Sequence, residues 1–150
     1  MSDSAAYDYI VVGAGSAGAV VASRLSENGS YRVLLLEAGT KGSSHFWARV
    51  PVGTSKMIDD PTVNWCYKSE PDEGSGGRRI DVPRGKMMGG SSSINGNVYV
   101  RGDPAEFDSW TNMGCPGWSW DDMLPYFKRM ENFAEGAPET RGKGGPINVV

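Results

Sequence analysis

Gly13, Gly15, Gly18 and Glu37 have the types and spacing best suited to chemistry in this chain. In Gly13-Ala14-Gly15-Ser16-Ala17-Gly18, Gly13 permits a tight turn out of a strand, and Gly15 lets bare backbone approach a pyrophosphate. Gly18 lets a helix lie close on a sheet, and the helix start aims unpaired N–H groups at phosphates. Glu37 stands nineteen residues beyond Gly18, where a carboxylate can accept both hydroxyls of an adenosine ribose. A glycine turn of this form also serves purely structural ends. Here an apolar run at Tyr9–Val12, a small-residue helix, a second apolar run at Val33–Leu36 and the acid are all in register, which favours a dinucleotide site.

A second cluster runs Arg84-Gly85-Lys86-Met87-Met88-Gly89-Gly90-Ser91-Ser92-Ser93-Ile94-Asn95-Gly96. Gly89-Gly90 leaves backbone bare, and Ser91 and Ser92 with neighbouring N–H groups can line a polar, close-fitting surface. A flexible serine loop is the alternative, but apolar Ile94, Val98 and Val100 anchor the flank. The single histidine, His45, has the intrinsic pKa range of a general base. It lies between the two glycine clusters with no motif of its own, so it is read as a loop residue and no catalytic residue is assigned. Cys66 and Cys115 are far apart without CxxC spacing. They are expected to be reduced, packed thiols, with neither disulfide nor metal site.

The elements that position these residues follow from local pattern. A helix is expected from Ser16 to about Asn28, ended by Gly29, with Ala17, Val21 and Leu25 on one face and Ala22 beside them. Lys41 to Val63 mixes Gly, Ser and Pro with isolated apolar residues and predicts a long excursion with one helical turn near Ser55–Ile58. Asn64–Pro71 and Arg78–Arg84, joined by Asp72-Glu73-Gly74-Ser75-Gly76-Gly77, predict a hairpin. One helix should start at Asp103-Pro104-Ala105-Glu106 and end near Met113-Gly114. Another should start at Ser119 with Asp122 three residues on, be kinked by Pro125, and continue through Leu124, Phe127 and Met130/Glu131. The chain closes on Ile147-Asn148-Val149-Val150 with no polar tail, so the sequence is expected to be cut rather than finished.

The 150 residues suffice for one ordinary domain with a core. A net charge of −3 with scattered basic residues argues against nucleic acid as a partner. The opening Met-Ser-Asp-Ser lacks the plan of a signal peptide, and no apolar run approaches spanning length. Membrane association is therefore not indicated, and a cytoplasmic location is expected.

The sequence resembles the glucose-methanol-choline (GMC) oxidoreductases, flavoenzymes that oxidise alcohols with FAD. The residues carrying the resemblance are the Gly13/Gly15/Gly18 turn, Glu37-Ala38-Gly39, Asn64-Trp65-Cys66-Tyr67, Gly85 through Gly102, Cys115-Pro116-Gly117-Trp118-Ser119-Trp120 and Leu124-Pro125-Tyr126-Phe127-Lys128. The block from Gly85 to Gly102 is similar to the family's first signature, and the match looks closest to the choline-dehydrogenase-like bacterial branch. The resemblance implies an α/β fold: a Rossmann-like, glutathione-reductase-like FAD-binding domain, incomplete, with a hairpin and aromatic-rich helices added. It implies that Gly13, Gly15, Ser16, Ala17 and Gly18 hold the FAD pyrophosphate, and Glu37 with Ala38 the adenosine ribose. Met88, Gly89, Gly90, Ser91, Ser92, Asn95, Gly96, Asn97 and Val98 would line the flavin and its ribityl chain, and Trp65 would lie near the cofactor.

Two departures bear on function. Some family members attach FAD through a histidine where Ile94 stands, so non-covalent FAD is expected. Met88 replaces a branched aliphatic residue at similar volume. The family's catalytic histidine and second signature lie further along than residue 150. Residues 1–150 are therefore expected to be the N-terminal part of the FAD-binding domain, without the substrate domain or catalytic C-terminus. The parent protein would oxidise a small-molecule alcohol to an aldehyde or ketone, and this chain alone is expected to be inactive and poorly folded. The alternatives are a truncated nucleotide-binding fragment without activity and an NAD(P)-linked dehydrogenase, which Glu37 would suit equally well.

Overall fold

The computed structural model describes residues 6–41 and 44–150. The opening Met-Ser-Asp-Ser and the Gly42-Ser43 part of the predicted excursion lie outside the described residues. The chain divides into two compact units, Met1–Asn97 and Val98–Val150.

The first unit starts with strand β1 (Tyr9–Val12), helix α1 (Ser16–Ser26) and strand β2 (Val33–Leu36). The strands pair in parallel, Tyr9 opposite Val33 through Val12 opposite Leu36, as a helical crossover requires. Helix α1 ends two residues earlier than expected, and Gly29 takes the left-handed conformation at φ +70°. Its packing face also differs from the expected one. Ala17 and Val21 are exposed, while Ala22 is buried and Gly18 and Leu25 are half-buried. Gly18 sets this rotation. A Cβ there would sit 1.9 Å from the Gly13 carbonyl oxygen and 3.5 Å from a Val11 methyl, so the glycine faces the strand and the larger Val21 turns out. On the other side of the two strands, Ile10, Val12 and Leu36 are exposed.

The excursion is more ordered than its composition suggests. Short 3-10 turns at Phe46–Arg49 and Pro51–Gly53 lead into one helical turn, α2 (Thr54–Met57), a residue ahead of the predicted position. It also builds the core: Met57, Val63, Met87 and Ile94 are buried together, with Trp47 and Ala48 packed against them. The hairpin forms as β3 (Tyr67–Lys68) against β4 (Asp81–Val82), antiparallel and shorter than predicted. Its base is fastened by Asn64, 2% exposed. The Asn64 side-chain amide donates to the Ile58 carbonyl, and its oxygen accepts from the N–H groups of Cys66 (3.0 Å) and Arg84 (2.8 Å). Buried polar side chains are in the large majority hydrogen-bonded, and these bonds tie excursion, hairpin and second glycine cluster together. The two thiols are free but exposed, not packed. Cys66 lies at the hairpin's base with φ +52°.

The second unit holds α3 (Pro104–Asn112) and α4 (Trp120–Met130). Asp103 caps α3 through the Ala105 N–H, with Pro104 in the first turn. Ser119 and Asp122 form a reciprocal capping box on α4, which runs unbroken through Pro125. Phe107 is buried among Trp110, Trp120 and Phe127, with ring centroids 5.1–5.7 Å away. Glu131 does not continue the helix. It opens β5 (Glu131–Asn132), which pairs in parallel with β6 (Ile147–Asn148) and so supplies a partner for the closing apolar run. The Glu131 side chain is fully buried because Arg101 and Arg141 both pair with it. No helix among the described residues is long and apolar enough to cross a membrane.

Candidate functional site

The two glycine clusters, far apart in sequence, meet in the first unit. Gly15 and Gly89 form a parallel bridge, and the Gly89 N–H donates to the Ala14 carbonyl at 2.8 Å. Beside it the Met88 N–H donates to the Thr40 carbonyl at 2.9 Å, and Thr40 bridges Met87. The approach depends on missing side chains. A Cβ at Gly90, whose φ is +57°, would lie 2.9 Å from the Gly15 Cα. A Cβ at Gly39 would lie 1.9 Å from the Lys86 carbonyl oxygen. Gly13 turns the chain out of β1 at φ +96°.

Glu37 follows β2 directly and closes this crossing from below. Its carboxylate accepts from the Ala14 N–H at 2.8 Å and from the Gly39 N–H at 2.9 Å. Each carboxylate oxygen keeps a further acceptor site, so ribose hydroxyls can be held while the glycine turn stays fixed. An open cleft of about 750 Å³ lies here, lined by Gly13, Gly15, Glu37, Ala38, Trp65, Gly90 and Ser91 among the expected residues. Trp65 stacks on Tyr67 with centroids 5.9 Å apart and planes 7° apart, and Lys86 Nζ sits 4.7 Å over the Trp65 ring. Val12, Leu36, Tyr67, Val82, Arg84 and Gly85 complete the lining and were not anticipated as site residues. Arg84 had a legible signal, a cation immediately before a glycine turn suited to phosphates.

A second cleft, of about 760 Å³, is lined by Met88, Ser92 and Asn97 among the expected residues. Lys41, Trp47, Arg49, Thr54, Met57 and Ser93 also line it. The irregular excursion that contributes most of these carries no periodicity from which they could have been read. Both clefts fall within the size range of cofactor sites. Ser16, Ala17 and Gly18 line neither, since they form the first turn of α1. Asn95 and Gly96 line neither as well. The Asn95 carbonyl accepts from the Thr54 hydroxyl at 2.8 Å, and its side chain accepts from the Asn97 N–H at 2.9 Å. Val98 is exposed and opens the second unit.

His45 is engaged elsewhere, its Nε2 3.3 Å from Asp60 Oδ2. The Thr62 hydroxyl and N–H, with a smaller contribution from His45, hold the Asp60 carboxyl below its ordinary range. Among the described residues no three His, Cys, Asp or Glu side chains converge as a metal site.

A comparison with known protein families matches residues 7–150 to GMC oxidoreductase. The chain belongs to that family. Among its relatives is the oxygen-dependent choline dehydrogenase of Vibrio vulnificus (strain YJ016), 49% identical over 143 residues, which are 95% of this chain and 25% of that protein. Among solved structures, pyridoxine 4-oxidase from Mesorbium loti superposes with a TM-score of 0.86 at 37% identity, over 94% of this chain and 28% of that one. An FAD-dependent oxidoreductase from Chaetomium thermophilum gives 0.79 at 36% identity, over 95% of this chain and 26% of its own. The GMC assignment and these neighbours agree with an α/β FAD-binding fold and support FAD as the cofactor. The chain spans about a quarter of the length of the curated relatives it matches.

Proposed function

We propose that the first unit is a Rossmann-like, glutathione-reductase-like half-site for FAD in a flavin-dependent alcohol oxidoreductase. The observation that carries this is the crossing of Gly15 and Gly90, where a Cβ would lie 2.9 Å from the opposing Cα. Close backbone crossings of this kind bring N–H groups within reach of a diphosphate. Gly13, Gly15, Gly90 and Ser91 would hold the pyrophosphate, aided by the start of α1 at Ser16. Glu37 and Ala38 would hold the ribose, and the Trp65 and Tyr67 rings would flank the adenosine half. Met88, Ser92 and Asn97 would line the flavin half, with Gly89, Asn95 and Gly96 shaping the backbone behind them. When bound, FAD supplies the hydride acceptor for oxidation of an alcohol carbon to an aldehyde or ketone. The residues of this chain bind and orient it, and none of them is proposed as the base.

The cofactor is held without a covalent bond. Ile94, at the position of the attachment histidine in some members, is 4% exposed and packed against Met57, Val63 and Met87. Residues 1–150 act as the N-terminal part of the FAD-binding domain in a cytoplasmic protein whose substrate is a small alcohol. Purified protein incubated with FAD should be yellow, and acid precipitation should leave all of its flavin in the supernatant. A colourless protein that fails to quench flavin fluorescence would remove the site. Flavin retained in a washed, denatured pellet would remove the non-covalent attachment.

A further inference from the structure

The second unit carries a groove that the cofactor reading does not use. It is about 600 Å³ and runs along α4 beside the loop at 138–143. Leu124, Pro125 and Pro138 give it apolar walls, while Lys128, Arg129 and Lys143 bring positive charge against the single acid Asp121. Beneath them lies a further source of positive charge. Glu131, fully buried, is shared by Arg101 and Arg141, so one carboxylate faces two guanidiniums and leaves one positive charge uncompensated. Arg141 is both a member of that cluster and a wall of the groove, and its Nε is buried without a hydrogen-bond partner. Its guanidinium lies 4.5 Å over the Phe133 ring. Lys128 donates to the Glu139 carbonyl at 3.4 Å, and Lys143 is exposed.

We propose that this groove docks a short acidic peptide segment of a partner protein, with an apolar side chain seated on Leu124, Pro125 and Pro138. Charge complementarity sets the sign of the partner, and the apolar walls set its amphipathic character. From Asp121 to Arg129 the groove follows about 12 Å of helix. Some four extended residues cover that span.

A fluorescein-labelled peptide of about six residues, glutamates around a central leucine, tests the proposal by fluorescence anisotropy against the purified protein. Saturable binding is expected, weakening as salt rises. Replacing the peptide's glutamates by glutamines, or introducing Lys128→Glu with Lys143→Glu, should cost about tenfold or more in affinity. The melting temperature of the double variant shows whether it folds, and Lys143→Gln alone repeats the test if it does not. Absence of saturable binding, equal binding of the glutamine peptide, or indifference to the folded Lys128 and Lys143 variants would overturn the proposal. So would sedimentation with anionic phosphatidylserine vesicles that depends on these lysines while the peptide fails to compete.

Discussion

Replacing Gly90 with alanine isolates the contact on which the cofactor reading rests. Two costs add at that position. The residue sits at φ +57°, where an L side chain costs about 1–2 kcal/mol. The new Cβ would lie 2.9 Å from the Gly15 Cα, so the turns must part by at least roughly 0.6 Å to reach ordinary carbon contact of ~3.5 Å. Overpacking of this kind costs about 1–3 kcal/mol. Gly90→Ala should therefore lose about 2–5 kcal/mol of stability. Because the displaced atoms belong to the proposed pyrophosphate cradle, FAD affinity should fall about tenfold or more. Gly76→Ala supplies the comparison: its φ is +65°, yet nothing lies within 4 Å of the added Cβ. It should lose only about 1–2 kcal/mol and bind FAD unchanged. Urea unfolding reads the first quantity and flavin fluorescence titration the second. If Gly90→Ala binds FAD like the wild type and is no less stable than Gly76→Ala, the crossing is not a cofactor cradle.

Glu37→Ala should weaken FAD binding by about 1.5–3 kcal/mol, the range for hydrogen bonds to a charged group, and should also destabilise the cofactor-free protein, because Ala14 and Gly39 lose their acceptor. Unchanged values in both titration and urea melts would remove Glu37 from the site. Asp60 has a folded pKa below its unfolded value, so its contribution is present above the ordinary carboxylate range and is lost as pH falls through the lowered value. Unfolding free energies measured from neutral pH downward should fall less steeply in Asp60→Asn than in the wild type; parallel curves would contradict this. Glu131→Gln should cost about 3–5 kcal/mol by leaving buried guanidinium charge unpaired. A melting temperature within error of the wild type would refute it.

The β1–α1–β2 unit was legible because its apolar runs, glycine spacing and terminal acid each report a local requirement. The face of α1 was misread because apolarity pointed to Ala17 and Val21, whereas close approach at Gly18 decides the rotation. Met57, Val63 and Met87 show why the core was harder to see. They are isolated apolar residues among Gly, Pro and polar neighbours, and only the turns that bring them together reveal a cluster. Glu131 continued a helical spacing in sequence, but its burial depends on Arg101 and Arg141, thirty residues before and ten after it. Half of the site could be read in the same way: glycines announce a close approach, but not which other backbone they approach.

The fastening at Asn64 gives the hairpin an order of opening. Its outer part rests on two residue pairs, exposed bonds between Ser69 and Ile80, the exposed Arg79–Glu70 ion pair, and a turn in which the Gly74 and Gly77 N–H groups donate to Asp72. Its base holds Cys66 and Arg84 through one buried amide, with the Trp65 N–H on the Arg84 carbonyl and the Lys86 N–H on the Val63 carbonyl. Exposed pairs open with little free energy, whereas groups tied to a buried side chain open only with the surrounding core. In hydrogen exchange, the amides of Tyr67 to Asp81 should trade early and individually. Those of Cys66, Arg84 and Lys86 should trade late and together, so the wall carrying Trp65 and Arg84 stays closed while the hairpin beyond it frays.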